Sequence, residues 1–355
     1  MSKSTTKSRP SATAARKPAD IRVGVIGYGG AYNMGRSHLN EMKQAGMTPV
    51  AVTELDPERR KVAEDDFPGI QTYDSVEAML KKSDVGLVTI ITPHNSHAPL
   101  GLQCLRAGRH VVCEKPLAIT TAQCDAMMAV AKKSGLVLST YHNRHWDGCI
   151  LRALAEVKKK KTIGDIYRID ARCGSHGLPG DWWRSSRSIS GGILYDWGVH
   201  LLEYSLQLID SEVVEVTGCA KNGFWAPATK WKEDTVEDEA QAVVRFRNGA
   251  WVNLNITSLN PSPRRGFLEI FGTKGSYTIE WPGYILRRKD GPTSSIEEGP
   301  HPESEAYRYY ANIAAHLCKG EALIITPEWS RRMIHILDLA VRSAQSGRAL
   351  KATYP

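Results

Sequence analysis

The chain has 355 residues, 42% of them hydrophobic and 24% charged, and its 46 Lys and Arg against 38 Asp and Glu give a net charge of +8. Half of that excess positive charge lies in residues 1–20, and the four lysines at 158–161 could account for the other half. The remainder of the chain is nearly neutral, so we expect no nucleic-acid partner. No apolar stretch approaches the ~20 residues of a membrane span, residues 1–20 do not form a secretory signal, and no CxxC pair occurs, so we expect a cytoplasmic protein with no membrane partner.

Residues 1–20 contain Ser, Thr, Ala, Lys, Arg and Pro without aliphatic periodicity, which predicts a disordered basic tail. From Ile21 onward, short apolar runs alternate with amphipathic segments. The runs predict strands at 21–26, 50–53, 85–91, 111–113 and 136–139, with helices at 36–45, 57–65, 75–82, 97–107 and 121–134. Continuous apolar strands separated by helices are typical of a parallel sheet covered on both faces, so residues 21–140 are predicted to form a doubly wound Rossmann domain.

After Tyr141 the pattern changes to strand-like segments separated by turn signals. These segments are 166–172, 213–220, 239–247, 250–257, 266–271 and 276–281, and helical patterns cover 150–160, 303–319 and 327–346. The pattern predicts a large, mainly antiparallel sheet in a C-terminal α+β domain, residues 141–355. The fold class is therefore α/β, with two domains.

The first predicted strand runs directly into a glycine-rich loop. Glycines at such a place allow a tight turn and let backbone N–H groups approach a pyrophosphate at a helix N-terminus. The spacing is irregular, because Gly35 follows Gly29 by six positions where three are usual, and an ordinary strand-to-helix turn is the alternative. The candidate cofactor contacts in the loop are Gly27, Gly29, Gly30 and Ala31.

Glu54 stands at the end of the second predicted strand. A carboxylate there accepts hydrogen bonds from ribose hydroxyls and repels a 2′-phosphate, which favours NAD as cofactor. Arg59 and Arg60 lie close in sequence and would soften that preference, so NADP stays open.

Four further motifs identify a relationship. They are Thr92-Pro93-His94-Asn95-Ser96-His97, Glu114-Lys115-Pro116, Gly191-Gly192 followed by Asp196-Trp197-Gly198-Val199-His200, and Phe271-Gly272-Thr273-Lys274-Gly275. With the glycine loop, they make the sequence resemble the Gfo/Idh/MocA (glucose–fructose oxidoreductase, inositol dehydrogenase) family over residues 21–346. The enlarged loop is the main departure from the family pattern.

The resemblance implies roles for individual residues. On the cofactor side, it implies that Thr92, Pro93, Asn95 and His97 line the nicotinamide ribose and that Glu114 and Lys115 lie beside the nicotinamide. Lys115, Asp196 and His200 are the implied catalytic group. Because Asp196 and His200 are four residues apart, they share one face if the segment is helical. The family also associates through its second sheet, which implies a homodimer or homotetramer.

The function expected is hydride transfer between a secondary hydroxyl of a sugar, sugar derivative or cyclitol and NAD(P). His200 would take the hydroxyl proton, since imidazole titrates near neutral pH. Lys115 would stabilise the developing alkoxide, and Asp196 would bind a substrate hydroxyl or orient the other groups.

Substrate contacts are predicted at two places. Asn143 and Arg144 follow the last Rossmann strand, and Trp182, Trp183 and Arg184 lie in a polar loop before the Asp196 motif. For Asn143 and Arg144 the alternative is an ordinary surface loop. For the tryptophans the alternative is packing in the core. We expect no metal, because the candidate histidines lack supporting carboxylate or Cys spacing.

Two other functions remain open. An NAD-dependent glycosidase that works by transient oxidation would share the same first step. A non-catalytic dinucleotide-sensing regulator is the third possibility, although a sensor needs neither Lys115 nor His200 at the nicotinamide.

Overall fold

The computed structural model describes residues 15–354, which contain two sheets with helices packed around them. The first sheet has six strands: Arg22–Ile26 (β1), Thr48–Thr53 (β2), Gln71–Tyr73 (β3), Leu87–Ile90 (β4), His110–Cys113 (β5) and Leu138–Thr140 (β6). All are parallel, in the order β3-β2-β1-β4-β5-β6. The order reverses between β1 and β4, and a crevice for a ligand opens there beyond the carboxyl ends of the strands.

Five helices connect these strands. They are Met34–Gln44 (α1), Pro57–Asp66 (α2), Val76–Lys82 (α3), His97–Arg106 (α4) and Thr121–Ser134 (α5). Caps explain where several of them begin, because Asp56, Ser75 and Thr120 each accept a hydrogen bond from a backbone N–H of the first turn. The α5 helix ends at Gly135 in the left-handed conformation, as glycine allows.

The second sheet has nine strands. They are Ile166–Gly174 (β7), Val213–Lys221 (β8), Glu239–Phe246 (β9), Trp251–Thr257 (β10), Leu268–Gly272 (β11), Gly275–Ile279 (β12), Gly283–Asp290 (β13), Thr293–Pro300 (β14) and Leu350–Lys351 (β15). Their order is β14-β13-β12-β11-β7-β10-β9-β8-β15, and only the β7–β10 pair is parallel. The predicted fold class, a Rossmann sheet followed by a mainly antiparallel sheet, is confirmed.

Among the described residues, the second part contains five α-helices. They are Gly148–Ala153 (α6, continued by a π-helical turn at Leu154–Lys159), Arg187–Ser190 (α7), Gly198–Leu208 (α8), Arg308–Lys319 (α9) and Pro327–Ser346 (α10). The α8 helix is buried along its whole length between this sheet and α10. Its position brings the start of the helix to the crevice of the first sheet.

The α9 helix crosses back to the first sheet. Tyr309, Tyr310 and Ile313 share a hydrophobic cluster with Val23 and Val25 of β1. The Tyr310 hydroxyl lies 2.7 Å from His38 Nδ1 on α1, and Tyr309 donates to Ser139 Oγ at 2.8 Å. The core of the first sheet is therefore completed by residues far beyond position 140.

Two expectations about element boundaries are corrected. Of the tail predicted to be disordered, residues 1–14 lie outside the described residues, but Pro18–Asp20 form a 3₁₀ turn whose Ala19 carbonyl accepts from Thr48 Oγ1. The helix predicted at 303–319 begins only at Arg308, because the preceding segment is bonded across to the turn after β6: Glu305 N donates to Trp146 O.

Candidate active site

A cleft of about 680 Å³ lies beyond the carboxyl ends of β1, β4 and β5, with the loops before α7 and α8 on its other side. Fourteen of the sequence-predicted site residues line it: Gly29, Ala31, Thr92, Pro93, His97, Glu114, Lys115, Asn143, Arg144, Trp182, Trp183, Arg184, Asp196 and His200. Positions separated by more than a hundred residues in sequence thus meet at one place. Gly27, Gly30, Glu54 and Asn95 do not line the cleft.

The glycine loop brings β1 and α1 close together. Gly27 has a φ of +101°, and a Cβ there would lie 3.0 Å from the Ile91 carbonyl oxygen. A Cβ on Gly35 would lie 2.6 Å from Tyr28 Cδ2 and 2.9 Å from the Gly27 carbonyl oxygen. Only glycine fits at these two positions without moving the strand and the helix apart. The first turn of α1, whose N–H groups have no partner within the helix, lines the cleft with Met34 and Gly35.

Glu54 holds the loop in this structure. Its Oε2 accepts from Tyr28 N at 2.6 Å, and its Oε1 accepts from Asp56 N at 3.1 Å. Arg59 Nε donates to the Tyr28 carbonyl at 2.9 Å, and Arg60 donates to the carbonyls of Glu54 and Leu55. Both guanidinium groups are therefore engaged by backbone oxygens.

The turn after β4 is fixed by a buried histidine. His97 Nε2 lies 2.8 Å from the Thr92 carbonyl, and Nδ1 lies 2.7 Å from the Pro116 carbonyl. Burial lowers the pKa of His97 below its ordinary value. His97 thereby ties the turn after β4 to the turn after β5, where Lys115 stands. Asn95, in the same turn, is exposed to solvent.

Glu114 is anchored from behind by α1. Its Oε1 lies 3.1 Å from His38 Nε2, and its Oε2 accepts from Lys115 N at 2.9 Å. Burial works to raise the pKa of Glu114, but the hydrogen bond and charge of His38 and the charge of Lys115 outweigh it and hold the pKa below its ordinary value.

Lys115, Asp196 and Arg184 form the charged centre of the cleft. Lys115 Nζ donates to Asp196 Oδ1 at 2.7 Å and to the Asp196 carbonyl at 3.2 Å. Arg184 Nε lies 3.5 Å from the same Oδ1. Burial would raise the pKa of Asp196, but the charges of Lys115 and Arg184 lower it below the ordinary value. The carboxylate is therefore ionised at neutral pH.

His200 is buried at the edge of this charged group. Burial first, and then the charges of Lys115 and Arg144, place the pKa of His200 well below its ordinary value. Its ring packs edge-on against Trp197, with centroids 5.6 Å apart. The imidazole is neutral at pH 7 and so is able to accept a proton.

Asp196 is not on the helix that carries His200. The α8 helix begins at Gly198, and Asp196 lies in the turn between it and a 3₁₀ turn at Ile193–Tyr195. The shared helical face expected from their spacing is therefore wrong, although both side chains reach the cleft. Gly191 and Gly192, both with positive φ, form the turn that leads to this segment.

The predicted substrate residues form the outer wall of the cleft. Arg144 donates to Asp147 Oδ2 at 3.1 Å, and its guanidinium carbon lies 5.2 Å from the Trp197 ring centroid. Trp183 packs edge-on against His94 at 4.7 Å. Neither tryptophan of the pair 182–183 is part of the hydrophobic core.

Several residues of this region were missed from the sequence. Tyr32 and His94 line the cleft, and His38 supports Glu114. Glu203, one turn after His200, is fully buried and accepts from Trp329 Nε1 at 2.7 Å, and it lies 2.5 Å from His145 Nδ1. The irregular glycine spacing was a signal for Tyr32. The partners of Glu203 and His38 come from distant segments and left no local signal.

A larger cavity of about 990 Å³ shares Trp197 with this cleft and is lined by the later residues of β7 and β10 and by the segment that precedes β11. Its lining includes neither the glycine loop nor Lys115 and His200. The larger cavity therefore lacks both the loop that would contact a dinucleotide and the histidine that would accept a proton. The smaller cleft contains both, so it is the candidate active site.

Among residues 15–354, no helix is long and apolar enough to cross a membrane. Within the same range, no three His, Cys, Asp or Glu side chains are grouped so that they could hold a metal ion. The candidate histidines are engaged otherwise: His97 contacts the Thr92 and Pro116 carbonyls, and His142 and His145 face Glu203.

Comparison with protein-family models gives two matches. Residues 21–142 match the model described as an oxidoreductase family with an NAD-binding Rossmann fold, and residues 151–278 match the GFO/IDH/MocA C-terminal domain. The two matches follow one another along the chain and cover the first sheet and the strands β7 to β11 of the second, with most of β12.

Individual proteins are similar over most of the chain. The scyllo-inositol 2-dehydrogenase (NADP(+)) IolW of Bacillus subtilis is 23% identical over 94% of this chain and 97% of its own. The D-glucoside 3-dehydrogenase of Escherichia coli is 27% identical over 78% of this chain and 79% of its own. Among solved structures, an NAD-binding protein from Listeria innocua superposes with a TM-score of 0.78 at 28% identity, covering 93% of this chain and 96% of its own.

Proposed function

This chain belongs to the Gfo/Idh/MocA family of oxidoreductases, and from that premise we propose that it oxidises a secondary hydroxyl of a sugar, sugar derivative or cyclitol. The observation that carries the proposal is the pairing of Lys115 Nζ with Asp196 Oδ1 at 2.7 Å in the cleft that also holds the neutral His200. The polyols named for the two relatives support this substrate class.

The residues present fit a nicotinamide dinucleotide. Gly27 and Gly35 leave no room for a Cβ and open the N-terminus of α1 to a pyrophosphate. Gly29 and Ala31 line the same side of the cleft, and Thr92, Pro93 and His97 line the way to Glu114 and Lys115. When bound, NAD(P) supplies the hydride acceptor.

His200 takes the hydroxyl proton in this proposal. An alcohol releases hydride only as its proton leaves, so the reaction needs a base that is unprotonated at neutral pH. Burial and the cations Lys115 and Arg144 keep the pKa of His200 low, which meets that requirement. A hydroxyl placed between His200 and Lys115 would lose its proton to the imidazole.

Lys115 stabilises the oxygen from which that proton leaves. Its ammonium is held by Asp196, so it is oriented before the substrate arrives and needs little rearrangement as negative charge develops. Asp196 stays ionised and is able to accept a hydrogen bond from a neighbouring substrate hydroxyl. Asn143, Arg144, Trp182, Trp183 and Arg184 are the proposed contacts to the rest of the substrate.

We propose NAD as the preferred cofactor, with NADP accepted less well. Glu54 lies at the end of β2 and binds the backbone of the loop, where its charge repels a 2′-phosphate. Arg59 and Arg60, the cations that would favour such a phosphate, are occupied by backbone carbonyls. Asn95 is exposed, so its proposed place beside the ribose requires it to turn inward.

The function is tested with a panel of sugars, glycosides and cyclitols, each offered with NAD and with NADP, and read at the nicotinamide absorbance. We expect reduction with at least one polyol and a higher kcat/KM with NAD. If no polyol is oxidised by protein that binds NADH, the dehydrogenase proposal is wrong.

Product analysis of the same reactions separates the other two functions. A glycosidase that works by transient oxidation would cleave a glycoside without net reduction of NAD. A sensor would bind NADH and convert none of the compounds.

We also propose that the protein self-associates through the outer face of the nine-stranded sheet. Trp251 and Phe271 project on that face with half-exposed side chains, beside Arg168, whose guanidinium carbon lies 3.9 Å from the Phe271 ring centroid. Light scattering coupled to gel filtration tests this. A dimer or tetramer that dissociates on Trp251→Glu is expected, and a monomeric wild type would contradict it.

A further inference from the structure

Tyr32 is an unusual residue for a phosphate-binding loop. Such loops act through backbone N–H groups and small residues, yet Tyr32 carries a large ring that is 57% exposed. It belongs to the loop extension, residues 30–34 between Gly29 and Gly35. Its ring centroid lies 5.8 Å from that of Trp182, which comes from the segment between β7 and α7. The extension therefore contacts the opposite wall of the cleft.

The base of the loop extension is held in place. Arg59 Nε donates to the Tyr28 carbonyl at 2.9 Å, and Arg59 Nη2 donates to Asn33 Oδ1 at 3.4 Å. Asn33 has a φ of +51°, a left-handed conformation that asparagine tolerates. Tyr32 is thus presented to the cleft from a fixed support rather than from a free loop.

Three aromatic rings surround Arg184. Its guanidinium carbon lies 5.1 Å from the ring centroid of Tyr32, 4.6 Å from that of Trp182 and 4.7 Å from that of Trp183. Ring faces attract a guanidinium, and its planar shape stacks well on them. We call these three rings the Arg184 cage. Two of its members are local to Arg184 in sequence, and Tyr32 is the third.

The cage keeps Arg184 close to the catalytic carboxylate. Arg184 Nε lies 3.5 Å from Asp196 Oδ1, longer than a good hydrogen bond, and within residues 15–354 this nitrogen has no hydrogen-bond partner. The position of the guanidinium therefore depends on the rings rather than on a hydrogen bond. Arg184 is held by these ring contacts and by the charge of Asp196, without a hydrogen bond at Nε, so the loss of one ring removes a substantial part of its support.

We propose that Tyr32 is a positioning residue for substrate recognition: it completes the Arg184 cage and so holds Arg184 beside Asp196. Through this contact, the enlarged phosphate loop shapes the substrate end of the cleft as well as the cofactor end. The inference deepens the proposed function, because the substrate that the cage orients is the polyol of that reaction.

The first test is structural and needs no substrate. Crystal structures of the wild type and Tyr32→Ala are compared at the Arg184 side chain. We expect Arg184 to leave its position beside Asp196 in Tyr32→Ala. If Arg184 keeps the same place against Trp182 and Trp183, the positioning role is wrong. This result holds whether or not any polyol is oxidised, so it separates this inference from the proposed function.

The second test uses the polyol that the wild type oxidises best in the panel. We expect Tyr32→Ala to raise its KM about tenfold, while the Kd of NADH, measured by fluorescence titration, changes less than about threefold. Tyr32→Phe keeps the ring and should recover most of the lost affinity. Tyr307→Ala, which removes a similarly exposed tyrosine outside the cleft, is the matched control.

The remaining outcomes count against the proposal. If Tyr32→Ala weakens NADH binding as much as polyol binding, Tyr32 only covers the cofactor. If Tyr32→Phe behaves like Tyr32→Ala, the hydroxyl rather than the ring is responsible, and the cage explanation is wrong.

Discussion

At the scale of single residues, the cleft is defined by how its charges are placed around one carboxylate. Asp196 is paired with Lys115 and faces Arg184, while His200 lies beside the same cations and forms no ion pair with a carboxylate among residues 15–354. The cations that keep Asp196 ionised also keep His200 neutral. One arrangement therefore prepares both a hydrogen-bond acceptor and a base.

The pH dependence of kcat/KM follows from this arrangement. The base is active when unprotonated and the pKa of His200 lies below its ordinary value of 6.5, so the acid limb should fall only below about pH 6.5. Arg184→Gln removes a nearby positive charge, which raises the pKa values of His200 and Asp196 and moves the acid limb to higher pH. Rates measured from pH 5 to 9 check this.

The control for that experiment is Arg247→Gln, which removes an exposed arginine paired with Glu212 on the protein surface. Its pH profile should match the wild type. An acid limb above pH 7 in the wild type, or an unshifted limb in Arg184→Gln, would contradict the assignment of His200 as the base.

Lys115 is the residue whose loss should affect chemistry most selectively. Lys115→Met keeps much of the side-chain volume but removes the ammonium that stabilises the developing alkoxide. We expect turnover to fall by ~10²-fold or more, because a preorganised charge at the reacting oxygen is lost. The Kd of NADH should change little, because the lost ammonium acts on the substrate oxygen. Fluorescence titration measures this Kd separately from turnover. Wild-type turnover in this variant would contradict the mechanism.

At the scale of elements, the β1–loop–α1 unit depends on a close approach between strand and helix. Gly35 sits in the first turn of α1, where a Cβ would lie 2.6 Å from Tyr28 and 2.9 Å from the Gly27 carbonyl oxygen. Tyr28 is not free to move, because it is buried and its hydroxyl donates to Asp66. The helix can accept a larger residue only by moving away from the strand.

We therefore expect Gly35→Ala to lower the free energy of unfolding by about 1–3 kcal/mol, the usual cost of overpacking. It should also weaken NADH binding by displacing the helix N-terminus. Urea denaturation and fluorescence titration measure the two effects. Gly29→Ala is the matched comparison: no atom lies within 4 Å of its Cβ, so its stability should be unchanged. Equal stability of the two variants would show that α1 does not pack as described.

At the scale of the whole molecule, helices near the end of the chain pack against both parts. The α9 helix, which follows all the main strands of the second sheet, covers β1 and α1 with Tyr309, Tyr310 and Ile313. The α10 helix packs on α5 of the first part and on β8 of the second. The helices near the end of the chain thus close the cores of both parts.

A fragment of residues 15–147 tests this dependence. It contains the six-stranded sheet and its five helices but lacks the tyrosines of α9, so a large apolar surface of β1 and α1 would be exposed. We expect the fragment to show no cooperative thermal unfolding and no NADH binding, measured by circular dichroism and fluorescence. Cooperative unfolding near the Tm of the full chain would contradict the shared core.

Much of the fold follows from local sequence patterns. Apolar runs and amphipathic segments predicted five of the six parallel strands and their order along the chain, because burial on both faces leaves a continuous apolar signal. The helical patterns at 121–134 and 327–346 agree with the observed helices Thr121–Ser134 and Pro327–Ser346. In the structure, each of these helices follows a threonine cap and ends at a glycine. The sequence analysis does not predict the strands β13 and β14. For β14 the reason is that it is polar and exposed at the sheet edge, so it lacks an apolar signal.

The sequence by itself determined the fold class, the family and the identity of Lys115, Asp196 and His200 as candidates, because these depend on local periodicity and on motifs of adjacent residues. Only the tertiary structure decided that Asp196 precedes the helix of His200, that Glu114 is supported by His38, and that Tyr32 reaches Arg184 across the cleft. The physical reason is that such contacts join segments whose separation in sequence carries no information about their distance in space.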